Sequence, residues 1–527
     1  MKRRELLHAL LGASAAWGCG VREGEPPPPP VAALGGADVE RGHRLVRDLD
    51  ADFESAPEHR VPVAIVGGGP AGLSAAWWLA RHDRPFTLFE LEDEVGGTSR
   101  SGASAVTPYP LGAHYLPLPD AANERLRAFL HHMGALDSRG EPTPTTTVRE
   151  PDERVFYGGY WYPGLYPYAG ASAHDLAQLG RFHRVLDRYA GVRDGAGRPA
   201  FALPLARSSM DADLVALDRE TGAAWLDRQG FTSPRLRWLC DYACRDDYGL
   251  SVDETSAWAL LFYWVSRMPA PGEETAPLLT WPEGNGALVG HLRALLRDRV
   301  QPGHAVGAVR QDEAGVTLHV SRADGQRMRV RCDRCVLAVP DFVRARLLPG
   351  SVSPSPYSAW LVSNLHLADR PAGLGSEPAW DNVLHGSESL GYVSATHQRG
   401  RDHGPTVWTH YLPLLREDAR EALLEAEPAA LADAVAHDLE RAHPDLRAHL
   451  ERVDLWRWGH AMVSPRPGFL EGGRRLQERS APIGRIHLAH TDLSGVALFE
   501  EAFFHGTRAA EEILAAGPHP GEGGAPT

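Results

Sequence analysis

The segment VAIVGGGPAGLSAAWWLA, residues 63–80, limits the fold more than any other part of the chain. A run of apolar, largely β-branched residues enters a glycine turn, and small helix-favouring residues leave it. Gly67, Gly69 and Gly72 have the spacing that lets backbone turn tightly, approach a pyrophosphate, and pack the outgoing helix on a sheet. Pro70 and Ala71 open that helix, whose unsatisfied amides and partial positive charge suit phosphate oxygens. The next strand, FTLFE, closes on Glu90, where a carboxylate accepts from both ribose hydroxyls and repels a 2′-phosphate. Together these four features predict a Rossmann-type βαβ unit for NAD or FAD. The segment alone does not separate the two.

Charge narrows function from another side. With 527 residues and a formal net charge of −14, the chain has no basic surplus to neutralise phosphates, so nucleic acid is not an expected partner and a small-molecule substrate is. Lys2 is the only lysine, which removes Schiff-base chemistry from consideration. Cys240 with Cys244, and Cys332 with Cys335, form two local pairs. No metal is expected, because zinc would need both pairs to converge; the reading is buried thiols or, in an oxidising compartment, a Cys332–Cys335 disulfide.

The opening MKRRELLHALLGASAAWGC has a basic start, a short apolar run and small residues before Cys19, the pattern of an export signal. Arg3 and Arg4 resemble a twin-arginine signal, which carries folded, cofactor-loaded proteins. Cys19 and the following GVREGEPPPPPVAALGG resemble a lipoprotein attachment site with a proline spacer. The expectation is an exported chain, periplasmic or tethered to the membrane by a lipid at Cys19.

Hydrophobic patterning divides the rest. Residues 1–60 read as signal and tether, and 61–110 as the first part of the dinucleotide domain. Residues 111–280 read as a largely helical cap, with an aromatic loop at FYGGYWYPGLYPY. Residues 281–350 return to the dinucleotide domain, with a hairpin in AVGAVRQDEAGVTLHV and a buried strand in RCVLAVP. Residues 351–480 supply the strands WLVSNLHL, GYVSATH and TVWTHYLPL, a helix around 418–441, and the tryptophan-rich LWRWGHAM. Residues 481–515 are strand, loop and helix, and 516–527 a loose tail. The fold class is α/β, a Rossmann-type domain interleaved with an α+β substrate domain.

The stretch FELEDEVGGTSRSG, so close behind the first glycine turn, resembles the second fingerprint of the superfamily of flavin amine oxidases, phytoene desaturases and protoporphyrinogen oxidases. The resemblance places Gly96, Gly97, Thr98, Ser99 and Arg100 along an FAD diphosphate. AVGAV resembles the family's adenine-contacting strand, with Val306 on the adenine, and RIHLAHTDLSGVALFEEAFFHGTRAAEEIL resembles its closing motif. That motif implies that Val496, Ala497, Leu498 and Phe499 offer amides to the flavin pyrimidine edge, where negative charge develops on reduction. PLGAHYLPLPD resembles the loop passing the flavin ring, which implies Gly112, Ala113 and His114 beside it. The resemblance thus resolves the cofactor to FAD, held non-covalently because no C-terminal cysteine is present.

Two departures qualify it. The closing motif reads Ala489, His490, Thr491, Asp492, so Asp492 reaches a ribityl chain only if the loop shifts. Many amine oxidases place a lysine near flavin N5; here Ser363 or Asn364, in WLVSNLHL, stands in its place. Expected substrate-side residues are Tyr411, Trp458 and His460, with His114 as proton acceptor. The implied activity is hydride removal from an amine or related C–H donor to flavin N5, with oxygen, a quinone or a carrier protein as acceptor. Desaturation or isomerisation of an apolar substrate, and flavin binding without turnover, are the alternatives.

Overall fold

The computed structural model describes residues 29–47, 53–268, 277–416 and 418–517. The expected signal, with Cys19, and the tail beyond Gly517 lie outside the described residues.

A seven-stranded sheet is built around Glu58–Val66, which becomes fully buried only over its last four residues as it approaches the glycine turn. Thr87–Phe89 and Arg327–Leu337 flank it in parallel, and Val300–Gln301 and Ile486–Leu488 extend the parallel part. An antiparallel ribbon, His304–Asp312 with Gly315–Arg322, continues from Arg327–Leu337. Three distant stretches of sequence therefore share one sheet, as expected of the Rossmann-type unit.

Helix Pro70–Arg81 follows the glycine turn and crosses helix Phe499–Ala515 at contact distance. A Cβ at Gly506 would lie 2.1 Å from the Ala71 carbonyl, so only glycine permits this crossing. Trp77 packs on Phe503 and Phe129 below it, with ring centroids 5.6 and 5.4 Å apart, tying the two chain ends into one core.

The second large sheet has eight strands, in the order Val31–Gly36, Leu450–Val463, Tyr357–Leu367, Thr406–Leu414, Gly391–Ser394, Asp381–Leu384, Glu153–Tyr157, Tyr160–Pro163. Its central strands are buried on both faces, packed on one side by helices Ala419–Glu425 and Pro428–Glu440. The helix expected around 418–441 is thus two, divided where Pro428 cannot continue the first.

The structure corrects two other expectations and, at Cys332 and Cys335, decides for buried thiols over the disulfide alternative. Val31–Gly36, read as part of a tether, pairs in parallel with Leu450–Val463 and forms a sheet edge. The aromatic loop FYGGYWYPGLYPY is a hairpin: Gly158 and Gly159, both at positive φ (58° and 91°), make the two-residue turn between paired strands. Cys332 and Cys335 are free and buried, because three residues of extended strand separate their Cα atoms by about 10 Å, beyond disulfide reach.

Candidate flavin site and inner cavity

A cleft of about 370 Å³ runs between the two sheets, and the glycine turn forms its floor. Gly67 has φ +101°, and a Cβ there would meet the Ala338 carbonyl at 2.3 Å; a Cβ at Gly72 would lie 1.9 Å from the Gly67 carbonyl. At Gly69 a Cβ would meet nothing within 4 Å, because this residue presents bare backbone to the cleft. Two glycines therefore shape the turn, and the third leaves room above it.

Glu90 lines the same cleft. Its two oxygens accept from the Gly68 amide at 2.5 Å and the Glu92 amide at 2.8 Å. Burial raises the carboxyl's pKa, while the Glu92 and Gly68 amides pull it back. Gly97, Thr98, Ser99 and Val306 are on the lining as well. Gly96 and Arg100 support it from behind: a Cβ on Gly96 would press on Arg100 at 2.9 Å, and Arg100 Nε donates to the Gly97 carbonyl at 3.3 Å. The N-terminal strand adds a wall that the sequence did not announce. Ala37 and Val39 line the cleft, and Arg41 anchors them by donating to the Leu91 carbonyl at 2.7 Å.

At the far end, His490, Thr491 and Asp492 meet Ala497, Leu498 and Phe499, where helix Phe499–Ala515 begins. Asp492 Oδ2 accepts from the Asp341 amide at 2.7 Å and from the Tyr357 phenol. Its Oδ1 is buried 3.1 Å from His490 Nδ1, out of line for a hydrogen bond, and so retains acceptor capacity. Burial works against the charge of Asp492, but His490, Tyr357 and the Asp341 amide outweigh it and lower its pKa. Val496 is fully buried in the helical core and does not line the cleft.

This chemistry fits a flavin dinucleotide. A bare glycine backbone at a helix start would suit a diphosphate, Glu90 a ribose, the free Asp492 oxygen a hydroxylated chain, and a helix N-terminus an electron-rich ring edge.

A second cavity of about 130 Å³ lies beyond the first. Thr98, Ala113, Trp458, Ala461, Ala497, Leu498 and Phe499 line both, so one uncharged wall separates them. Gly112, His114, Tyr115, Trp360 and Tyr411 face the inner side. Trp458 Nε1 donates to the Leu111 carbonyl at 2.7 Å, fixing the loop that carries Ala113 across the boundary. His114 stacks on Tyr411 with centroids 4.6 Å apart, and burial pushes its imidazole down to about 3. It is therefore neutral near pH 7 and too weak a base for the proton acceptance expected of it.

Two other expected residues sit elsewhere. His460 lines only the larger cleft, stacked on Phe342 at 4.3 Å; it lies where the pairing with Tyr357–Leu367 shifts register between Met462 and Trp458, so regular alternation from Trp458 does not carry it to the inner cavity. Asn364 lines neither space. It shares a strand face with Trp360 and Val362, which do reach the inner cavity, but lies about 7 Å further along, where its Oδ1 accepts from Thr409. Ser363 is buried in the sheet and lines neither.

The inner cavity also contains residues that sequence reasoning missed: Asp246, Asp247, Arg267, Asn285 and Glu500. The adjacent acids in CRDDYG, set in a buried helix, were the available signal.

Residues 70–514 match the family described as flavin containing amine oxidoreductase. A Mycobacterium tuberculosis protein named as a flavin-containing monoamine oxidase, AofH, is 25% identical over 491 residues, covering 87% of this chain and 98% of that protein. Putrescine oxidase bound to putrescine superposes with a TM-score of 0.62 at 18% identity, covering 87% of this chain and 100% of the other. A fatty acid isomerase from P. acnes that produces CLA gives 0.58 at 17%, covering 86% and 99%. The likenesses to solved structures establish the fold, and the family match spans most of the chain. The protein belongs to the flavin-containing amine oxidoreductase family and is a flavin-dependent oxidoreductase.

Proposed function

We propose that the chain holds FAD non-covalently in the larger cleft and oxidises a small amine, or a related C–H donor, in the inner cavity. The observation that carries this reading is the shared wall. One set of residues, from Thr98 to Phe499, faces a long cleft floored by the glycine turn on one side and a smaller space with acidic and aromatic walls on the other. When bound there, a flavin would supply the two-electron oxidant for a donor held against this wall.

The chain's own residues do the rest. Trp458 and Tyr411 hold the Leu111–His114 loop, so that the inner space keeps its shape. The start of helix Phe499–Ala515 favours negative charge at the boundary. Non-covalent binding is supported by the cleft lining, in which none of the four described cysteines appears.

Amine oxidation is favoured over chemistry on a hydrocarbon because three carboxylates and a guanidinium line the inner cavity. Burying an apolar chain there would leave a guanidinium and three carboxyl groups facing it without a polar partner in return. The test is to release the bound flavin from purified protein, identify it, and expose the intact holoprotein to a panel of amines without oxygen. FAD release and loss of flavin absorbance with amines support the reading. Protein that neither retains nor rebinds FAD refutes it.

A further inference from the structure

Among the described residues the inner cavity holds more carboxyl groups than its one guanidinium balances; burial raises the pKa of all three, to about 7 for Asp246 and Glu500, so a cation entering the space is what draws them into the ionised form. Asp246, Asp247 and Glu500 line it, against Arg267 alone. Arg267 is already engaged, donating to Asp247 at 2.6 Å and to the Tyr263 carbonyl at 2.7 Å. Asp246 has no ion-pair partner among the described residues. It receives two long hydrogen bonds, 3.4 Å from the Tyr115 phenol and 3.5 Å from that of Tyr263. Two more carboxyls, on partly buried residues, lie near enough to Asp246 to be repelled by it: Asp381, which accepts from Tyr242 at 3.4 Å, and Glu153. Burial first, then repulsion from their acidic neighbours including Asp246, raises the pKa of both.

A second observation does not depend on charge. Asn285 is 2% exposed, lines the same cavity, and its Oδ1 has no hydrogen-bond partner among the described residues. A buried acceptor left unpaired is costly, and an N–H donor satisfies it. The walls are aromatic, Tyr115, Trp360 and Tyr411, and ring faces attract organic cations.

The charges are also segregated. Among the described residues no ionisable side chain lies on the wall shared with the larger cleft, and Asp246, Asp247 and Glu500 line the inner space alone. A carboxylate keeps an ammonium protonated, which ties up the nitrogen lone pair that must assist hydride loss from the adjacent carbon. The nitrogen held at Asp246 is therefore not the one that reacts.

We infer that the substrate carries two basic nitrogens: one stays charged and is held by Asp246, with Asn285 Oδ1 accepting a further N–H, while the other reacts uncharged against the shared wall. The class is a short diamine or a longer polyamine. This rests on the amine reading above and adds the tail group.

The test compares α,ω-diamines with alkylamines of matched length and with mono-N-acetyl diamines, which lack the second charge. Flavin reduction is followed anaerobically in the holoprotein. In the wild type the best diamine is expected to exceed both controls by at least ~10-fold in kcat/KM. Asp246→Asn should cost the diamine ~100-fold, mainly in KM, and change the alkylamine less than about threefold, with partial recovery in Asp246→Glu. Equal rates for diamines and alkylamines, equal loss of both in Asp246→Asn, or turnover of α-amino acids but not diamines would overturn the inference and leave amine oxidation standing. If no amine of any kind reduces the flavin, the parent reading fails with it. The acetylated probes decide the question in wild-type protein should Asp246→Asn not fold.

Discussion

The phenol of Tyr411 donates a 2.9 Å hydrogen bond to the carbonyl of Gly112, across 299 residues of sequence. Trp458 does the same for the preceding carbonyl, Leu111. The substrate sheet thereby grips, through two side chains, the loop that forms the boundary between cleft and inner cavity. Tyr411→Phe leaves the buried Gly112 carbonyl without this donor, at an expected cost of about 1–3 kcal/mol in urea unfolding. Activity should fall while FAD remains bound, because the loop loosens on the substrate side. Unchanged stability and rate would show that the bond is incidental.

The glycines of the turn should separate by role. Gly72→Ala forces a Cβ to 1.9 Å from the Gly67 carbonyl, so the apoprotein itself is destabilised. Gly69→Ala meets no atom within 4 Å, so apoprotein melting should match the wild type while FAD affinity drops. Melting curves with and without added FAD distinguish these outcomes.

Glu90→Ala removes the acceptor for the Gly68 and Glu92 amides and for the ribose. FAD dissociation measured by fluorescence should rise about 10- to 100-fold. Retention equal to the wild type would count against the ribose assignment.

Glu501 gives a pH prediction with a defined sign. Burial raises its carboxyl to about 7, opposed by hydrogen bonds from Ser494 and the Leu205 amide. A folded-state pKa above the unfolded value means that the stabilising contribution is full below about 4.5 and is lost as pH rises to about 7. Glu501→Gln keeps an acceptor for Leu205, and Ser494 can turn its proton to His505 Nε2, 2.7 Å away. The variant should gain about 1–3 kcal/mol over the wild type above pH ~7 and nothing below pH ~4.5, as read from denaturation across that range.

How far the sequence was legible follows from how local each signal is. Gly67, Gly69, Gly72 and Glu90 act within one βαβ unit, so their spacing alone carried their meaning. Ala497–Phe499 were legible because a helix start follows them directly. Asn364 was misplaced because strand Tyr357–Leu367 is buried on both faces, so alternation does not reveal where along its length the cavity stops. Asp246, Arg267 and Asn285 come from separate segments, two helical elements and a turn, and only tertiary packing brings them to one space. The N-terminal strand was hidden by its proline-rich approach and glycine-rich end, which mimic a linker.

The central claim is that one polypeptide holds a flavin against a small acidic chamber built for an amine. Anaerobic titration of the FAD-loaded protein with a short diamine, monitored at the flavin absorbance band, tests it directly. Full bleaching by one equivalent of amine is expected, with recovery when an electron acceptor is admitted. A band that no amine alters, in protein shown to contain FAD, would contradict it.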